Sequence, residues 1–206
     1  PTGNANYAWI LHMLAKLSEN GTAGFVLANG AMSTNTTGEG AIRQKLVEND
    51  LVDCMIALPG QLFFTTQIPV CLWFLSKNKQ GDAQRGHRNR ENETLFIDAR
   101  KIGSMISRTQ KELSPEDISG IAKTYHDWRS ESGDTYEDIA GYCKSATLEE
   151  IQKHDYVLTP GRYVGAAPIE DDGIPFETKM TELSQTLYAQ MEESNQLDSV
   201  IRKNLE

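Results

Sequence analysis

An α/β fold followed by a helical tail is predicted for this chain, and three observations predict it. Helix-period and strand-period segments alternate through residues 1–165. Residues 69–75 are apolar at every position, the pattern of a strand covered on both faces. After a linker at 166–175 that carries Pro168, Gly173 and Pro175, apolar residues recur at three- and four-residue steps. The expected organisation is a sheet domain at 1–165, the linker, and a helix at 176–206.

In order, residues 7–19 place Tyr7, Ile10, Leu11, Leu14 and Leu17 at helical spacing, and Gly21 closes that helix. Residues 24–29 read as a short buried strand, and 39–49 as a second helix with Ile42 and Leu46 inward. Residues 52–57 are apolar and β-prone apart from Asp53, and Pro59-Gly60 ends that strand. The apolar strand at 69–75 follows. Residues 77–93 form a long polar loop with Arg85, His87, Arg88 and Arg90, and 95–98 a short strand. Ser114-Pro115-Glu116-Asp117 is a helix start: a capping side chain, proline at the first helical position, and acids in the first turn. Ile118, Ile121, Ala122, Tyr125 and Trp128 follow on one face. Thr147-Leu148-Glu149-Glu150 is a capping-box pattern, and 156–164 should be extended. In the tail the stripe runs through Phe176, Met180, Leu183, Leu187, Met191, Leu197 and Ile201.

Composition sets bounds. A chain of 206 residues holds one domain, or one and a fraction. No apolar run approaches the roughly 20 residues that span a bilayer. Cys54, Cys71 and Cys143 are odd in number and far apart, as expected of reduced core thiols in a cytosolic protein. The four histidines are scattered, and no Cys/His grouping has metal-ligand spacing. A net charge of −9 argues against a stand-alone DNA-binding module, because neutralising phosphates needs a basic surface.

The most telling run is 56–75. Between its two strands sit Phe63 and Phe64 beside Thr65, Thr66 and Gln67. A core has use for the rings but none for the polar neighbours, so the mixture suits a loop that stacks on a flat ring. This run, with Asn4-Ala5-Asn6-Tyr7-Ala8-Trp9-Ile10 and Gly24-Phe25-Val26-Leu27-Ala28-Asn29-Gly30, resembles the modification subunit of type I restriction–modification systems, a family of DNA adenine-N6 methyltransferases. The resemblance implies the C-terminal half of a Rossmann-like class I methyltransferase sheet, S-adenosylmethionine as methyl donor, and a complex with specificity and restriction subunits that acts on double-stranded DNA. It places Phe63, Phe64 and Thr66 where the family holds the target base, and Asn4 and Asn6 near the catalytic tetrapeptide. Arg85, Arg88 and Arg90 are candidate contacts to DNA phosphates. Met180, Leu183, Leu187, Leu197 and Ile201 are the candidate seam for a specificity subunit.

Two family elements are not found in this chain. There is no Asn/Asp-Pro-Pro-aromatic tetrapeptide, since no two prolines are adjacent. The nearest thing to a cofactor loop is Gly38-Glu39-Gly40, which lacks a third glycine and a strand running into it. With Pro1 in first place, the chain reads as the C-terminal part of a longer protein, inactive alone. Gln67 stands where the family usually has glycine. Each functional reading has a plainer counterpart: core packing for the phenylalanines, helix capping for the asparagines, a solvated loop for the arginines, packing on its own domain for the tail. The rival reading of the whole is a non-catalytic assembly module that binds a specificity subunit.

Overall fold

A computed structural model describes residues 5–131, 136–167 and 175–205. Asn4 and most of the linker, Pro168 and Gly173 included, lie outside the described residues. The chain divides into two compact units, Pro1–Ala167 and Pro168–Glu206.

The first unit is a five-stranded sheet with helices on its faces. Its strands are β1 (Thr22–Ala28), β2 (Val52–Ala57), β3 (Val70–Ser76), β4 (Glu93–Asp98) and β7 (Cys143–Thr147), in the order β1-β3-β2-β4-β7. A separate two-stranded hairpin pairs β5 (Ser104–Met105) with β6 (Lys111–Glu112). β2 and β4 run parallel, whereas β3 is antiparallel to both β1 and β2. β1, β2 and β4 therefore all point the same way. Alternate residues of each strand face opposite sides. On one side Met55, Trp73 and Phe96 pack with Tyr7, Ile10 and Leu46; on the other Cys54, Ile56 and Leu95 pack with Tyr125 and Trp128.

The helices are α1 (Asn6–Lys16), α2 (Glu39–Glu48), α3 (Pro115–Arg129) and α4 (Leu148–Lys153). α3 begins as its sequence demands: Ser114 Oγ accepts from the Asp117 amide at 3.1 Å, and Asp117 Oδ2 accepts from the Ser114 amide at 2.9 Å. α2 carries a fully buried arginine. Arg43 donates from Nε to the Tyr156 carbonyl at 2.7 Å, from Nη1 to the Thr34 carbonyl at 2.5 Å, and from Nη2 to Asn35 Oδ1 at 2.9 Å.

Several expectations need correction. β1 is not a buried strand. Among the described strands it pairs with β3 alone, so it is an edge with Gly24 and Val26 on an exposed face. The N-cap position of α1 is Ala5, which has no side-chain cap bond, and Leu11 points outward. Residues 156–164 are not extended throughout. Tyr156 takes a left-handed φ of 55° and Pro160–Arg162 is a 3₁₀ turn. Strand β7 and the β5–β6 hairpin had no sequence-based expectation.

In the second unit, α5 (Phe176–Leu205) is a single helix of 30 residues, about 45 Å long at 1.5 Å per residue. None of its residues is buried, and its apolar seam is more than half exposed at Met180, Leu183, Leu187, Leu197 and Ile201.

Candidate functional site

In open α/β sheets ligands sit beyond the carboxyl ends of the parallel strands. Here that end carries the turns after Ala28, Ala57 and Asp98. The first turn of α1 reaches the same end, because the Tyr7 hydroxyl donates to the Ala31 carbonyl at 2.7 Å. Asn6 is thereby brought towards the segment that follows β1. The amide of Asn29 donates to the Pro69 carbonyl at 3.3 Å, joining the end of β1 to the loop 58–69.

That loop is built for close backbone approach. A Cβ on Gly60 would lie 2.6 Å from the Gln67 carbonyl oxygen, so only glycine fits there. The Gln61 amide donates to that carbonyl at 3.3 Å, and Gln61 takes the left-handed φ of 65°. The unusual backbone angle thus falls on Gln61 and not on Gln67, where the family's glycine was expected to matter. Phe63 pairs with Thr66 across a two-residue turn, and Thr66 Oγ1 accepts from the Ile68 amide at 3.2 Å. The turn lifts the rings outward: Phe63 is 44% exposed and Phe64 92%. Core packing is therefore excluded for Phe64. The Lys111 amide donates to the Gln61 carbonyl at 2.9 Å, which fastens the β5–β6 hairpin to the loop. Beside it, burial favours the neutral form of Asp98, but hydrogen bonds from Arg100 hold its carboxyl below the usual range.

The arginine loop 77–92 is not part of this site. It leaves the carboxyl end of antiparallel β3 and enters β4, so it lies at the opposite end of the sheet, roughly 20 Å away by strand length. Two of its arginines are also occupied. Arg90 is 2% exposed and pairs with the fully buried Asp53 at 3.3 Å, so its guanidinium has no face for a phosphate. Arg88 binds Glu93 at 2.7 Å and the Trp128 carbonyl at 2.6 Å, and lies 5.1 Å from the centre of the Trp128 ring. Arg85 is the exposed one, 3.4 Å from Asp82. His87 nearby is shifted below its ordinary pKa by burial and by the charges of Arg129 and Arg90. Asp53 sits where the β2–β3 register shifts, between Val52 and Cys54, and it also accepts from the Tyr125 hydroxyl at 2.6 Å. Burial, then Asp53, pushes the Tyr125 hydroxyl up.

Gly38-Glu39-Gly40 does not fit a nucleoside cofactor loop. Gly38 caps α2 with φ 84°, reached through 3₁₀ turns and not directly from a strand, and a Cβ on Gly40 would stand 2.5 Å from Asn35 Oδ1. These glycines serve the entry into α2. No group of three or more His, Cys, Asp or Glu side chains among the described residues has metal-binding geometry.

A sheet in which antiparallel β3 lies between two like-directed strands is that of the class I methyltransferase fold. The family model described as N-6 DNA Methylase matches residues 1–172, and the chain belongs to that family. It is 52% identical over 205 residues to the HindI type I restriction enzyme methylase subunit of Haemophilus influenzae, covering all of this chain and 44% of that one. It is 44% identical over 206 residues to the MjaIX methylase subunit of Methanocaldococcus jannaschii, covering 35% of it. The chain thus spans less than half the length of these relatives. Among solved structures, the methyltransferase subunit of a type I restriction–modification system from Streptococcus thermophilus superposes with a TM-score of 0.66 at 32% identity, over 80% of this chain and 31% of that one.

Proposed function

We propose that this chain supplies the target-base side of a DNA adenine-N6 methyltransferase, which takes its methyl group from S-adenosylmethionine within a type I complex of modification, specificity and restriction subunits. The observation that carries the reading is Phe64, 92% exposed at the tip of a tightly built turn at the carboxyl end of the sheet. A ring held in water by an ordered backbone has a partner to meet. A base rotated out of the duplex is a flat ring of suitable chemistry. Phe63 and Thr66 flank it as the wall and the polar edge of that contact. Asn6, at the same end of the sheet, stands near the reacting amino group.

The chemistry also needs a glycine-rich cofactor loop and an Asn/Asp-Pro-Pro-aromatic tetrapeptide, and this chain carries neither. By this reading the 206 residues alone transfer no methyl group, and the complete protein does. The tail adds assembly to the role: the exposed seam of α5 suits a helix of the specificity subunit.

The test is Phe64→Ala in the complete methyltransferase. Loss of one stacking ring should weaken base binding by about 1–3 kcal/mol, roughly a 5- to 150-fold loss in methylation efficiency. The melting temperature should stay within a few degrees, because the ring packs on nothing. A variant that melts far earlier while keeping its turnover would overturn the reading.

A further inference from the structure

We propose that the β5–β6 hairpin is a DNA-backbone contact, gripping phosphates of the duplex that flank the base held by the aromatic turn; this rests on the reading above. Three observations meet there.

The first is place. The hairpin leaves the carboxyl end of β4, beside the loop that leaves the carboxyl end of parallel β2. The bond from the Lys111 amide to the Gln61 carbonyl at 2.9 Å ties the two loops together. Gly103 allows the tight fold-back: it takes a φ of 82°, and a Cβ there would lie 2.8 Å from the Glu112 carbonyl oxygen.

The second is charge. Residues 99–111 hold Arg100, Lys101, Arg108 and Lys111 and no carboxylate, in a chain whose net charge is −9. Arg100 is taken by Asp98, and Lys111 Nζ donates to the Ile102 carbonyl at 3.4 Å. Lys101 and Arg108 are exposed, and among the described residues neither makes an ion pair. Glu112, in register with Ser104, stands at the base of the hairpin and not at its tip.

The third is order. The tip is closed by bonds from the Ile106 and Ser107 amides to the Gln110 carbonyl at 3.0 and 3.3 Å, and Ser107 Oγ accepts from the Thr109 and Gln110 amides at 3.3 and 3.1 Å. Met105 and Ile106 are nonetheless about half exposed there, so the order does not come from a core. A rigid cationic finger with an apolar tip suits a groove edge, with phosphates on either side. Contacts of this kind fix register and carry no sequence preference.

The experiment uses the complete methyltransferase bound to its specificity subunit. DNA affinity is measured over a salt series for wild type, for Lys101→Gln/Arg108→Gln, and for Lys45→Gln/Lys153→Gln, an equal charge loss at exposed positions on α2 and α4. Each phosphate contact contributes about 0.9 to the slope of log affinity against log salt, so the hairpin pair should flatten it by nearly 2. Cognate and non-cognate duplexes should weaken alike. Arg108→Gln alone, at the tip, should give half the change and guards against a double variant that misfolds. An unchanged slope, or an equal flattening in the α2/α4 control, overturns the hairpin contact while the methyltransferase reading stands. A wild-type complex that methylates no adenine overturns that reading, and this inference with it.

Discussion

Asp53 shows how one residue reorganises a loop that looked functional. A carboxylate inside an otherwise apolar strand reads as an irregularity in the sequence. In the structure it is wholly buried, with Arg90 at 3.3 Å and the Tyr125 hydroxyl at 2.6 Å, while Arg129 Nη1 donates onward to that hydroxyl at 3.2 Å. A buried charge is kept only where partners replace the lost water. That need draws the arginine loop inward and removes Arg90 from any encounter with DNA. Asp53→Ala should leave Arg90 as an uncompensated buried cation and lower stability by about 3–5 kcal/mol. Urea unfolding of the 206-residue chain measures it, and a change below about 1 kcal/mol would mean that water or another carboxylate reaches Arg90. Nothing in the sequence pairs Asp53 with Arg90, because the two lie on different elements and meet only once β2 and β4 have paired.

Elements whose signals are local were legible. Ser114 to Asp117 spells out a helix start, and the helix begins there, closed by a capping box. The paired strands around the aromatic turn were legible for the same reason, being apolar runs bounded by Pro59-Gly60 and by polar residues. β7 was not, since Cys-Lys-Ser-Ala-Thr has no alternation and becomes a strand only by pairing with β4. The β5–β6 hairpin has two residues per strand, fewer than any periodicity can reveal. α5 belongs with the legible elements. Its seam at Met180, Leu183, Leu187, Leu197 and Ile201 follows three- and four-residue steps, and Gln190 and Ser194 interrupt it midway. A wet centre suits a partner helix able to answer those polar groups better than it suits a core. Leu187→Glu with Leu197→Glu should abolish co-purification with the specificity subunit and leave the melting of the sheet unit unchanged. Retention of the complex would return α5 to an ordinary structural role.

At the scale of the molecule, the motifs around the aromatic turn carried the resemblance that implied a methyltransferase half-sheet, and the order of helices and strands fitted it. What the order could not give is distance. Phe64 and the arginine loop are separated by a strand length, so the base-stacking candidates and the phosphate candidates lie at opposite ends of the sheet. Nor could it show that Arg43 closes the fold. That guanidinium joins the turn before α2 to Tyr156, 113 residues further on. A contact between segments so remote in sequence forms after the local ones, since a long loop must first be closed. The bonds of Arg43 are therefore expected to form late in assembly and to break early in disassembly. Replacing Arg43 with methionine should steepen the escape from the native state, raising the unfolding rate at every urea concentration while the refolding limb of the chevron stays where it was. A slowed refolding limb would instead place the clamp in the folding nucleus.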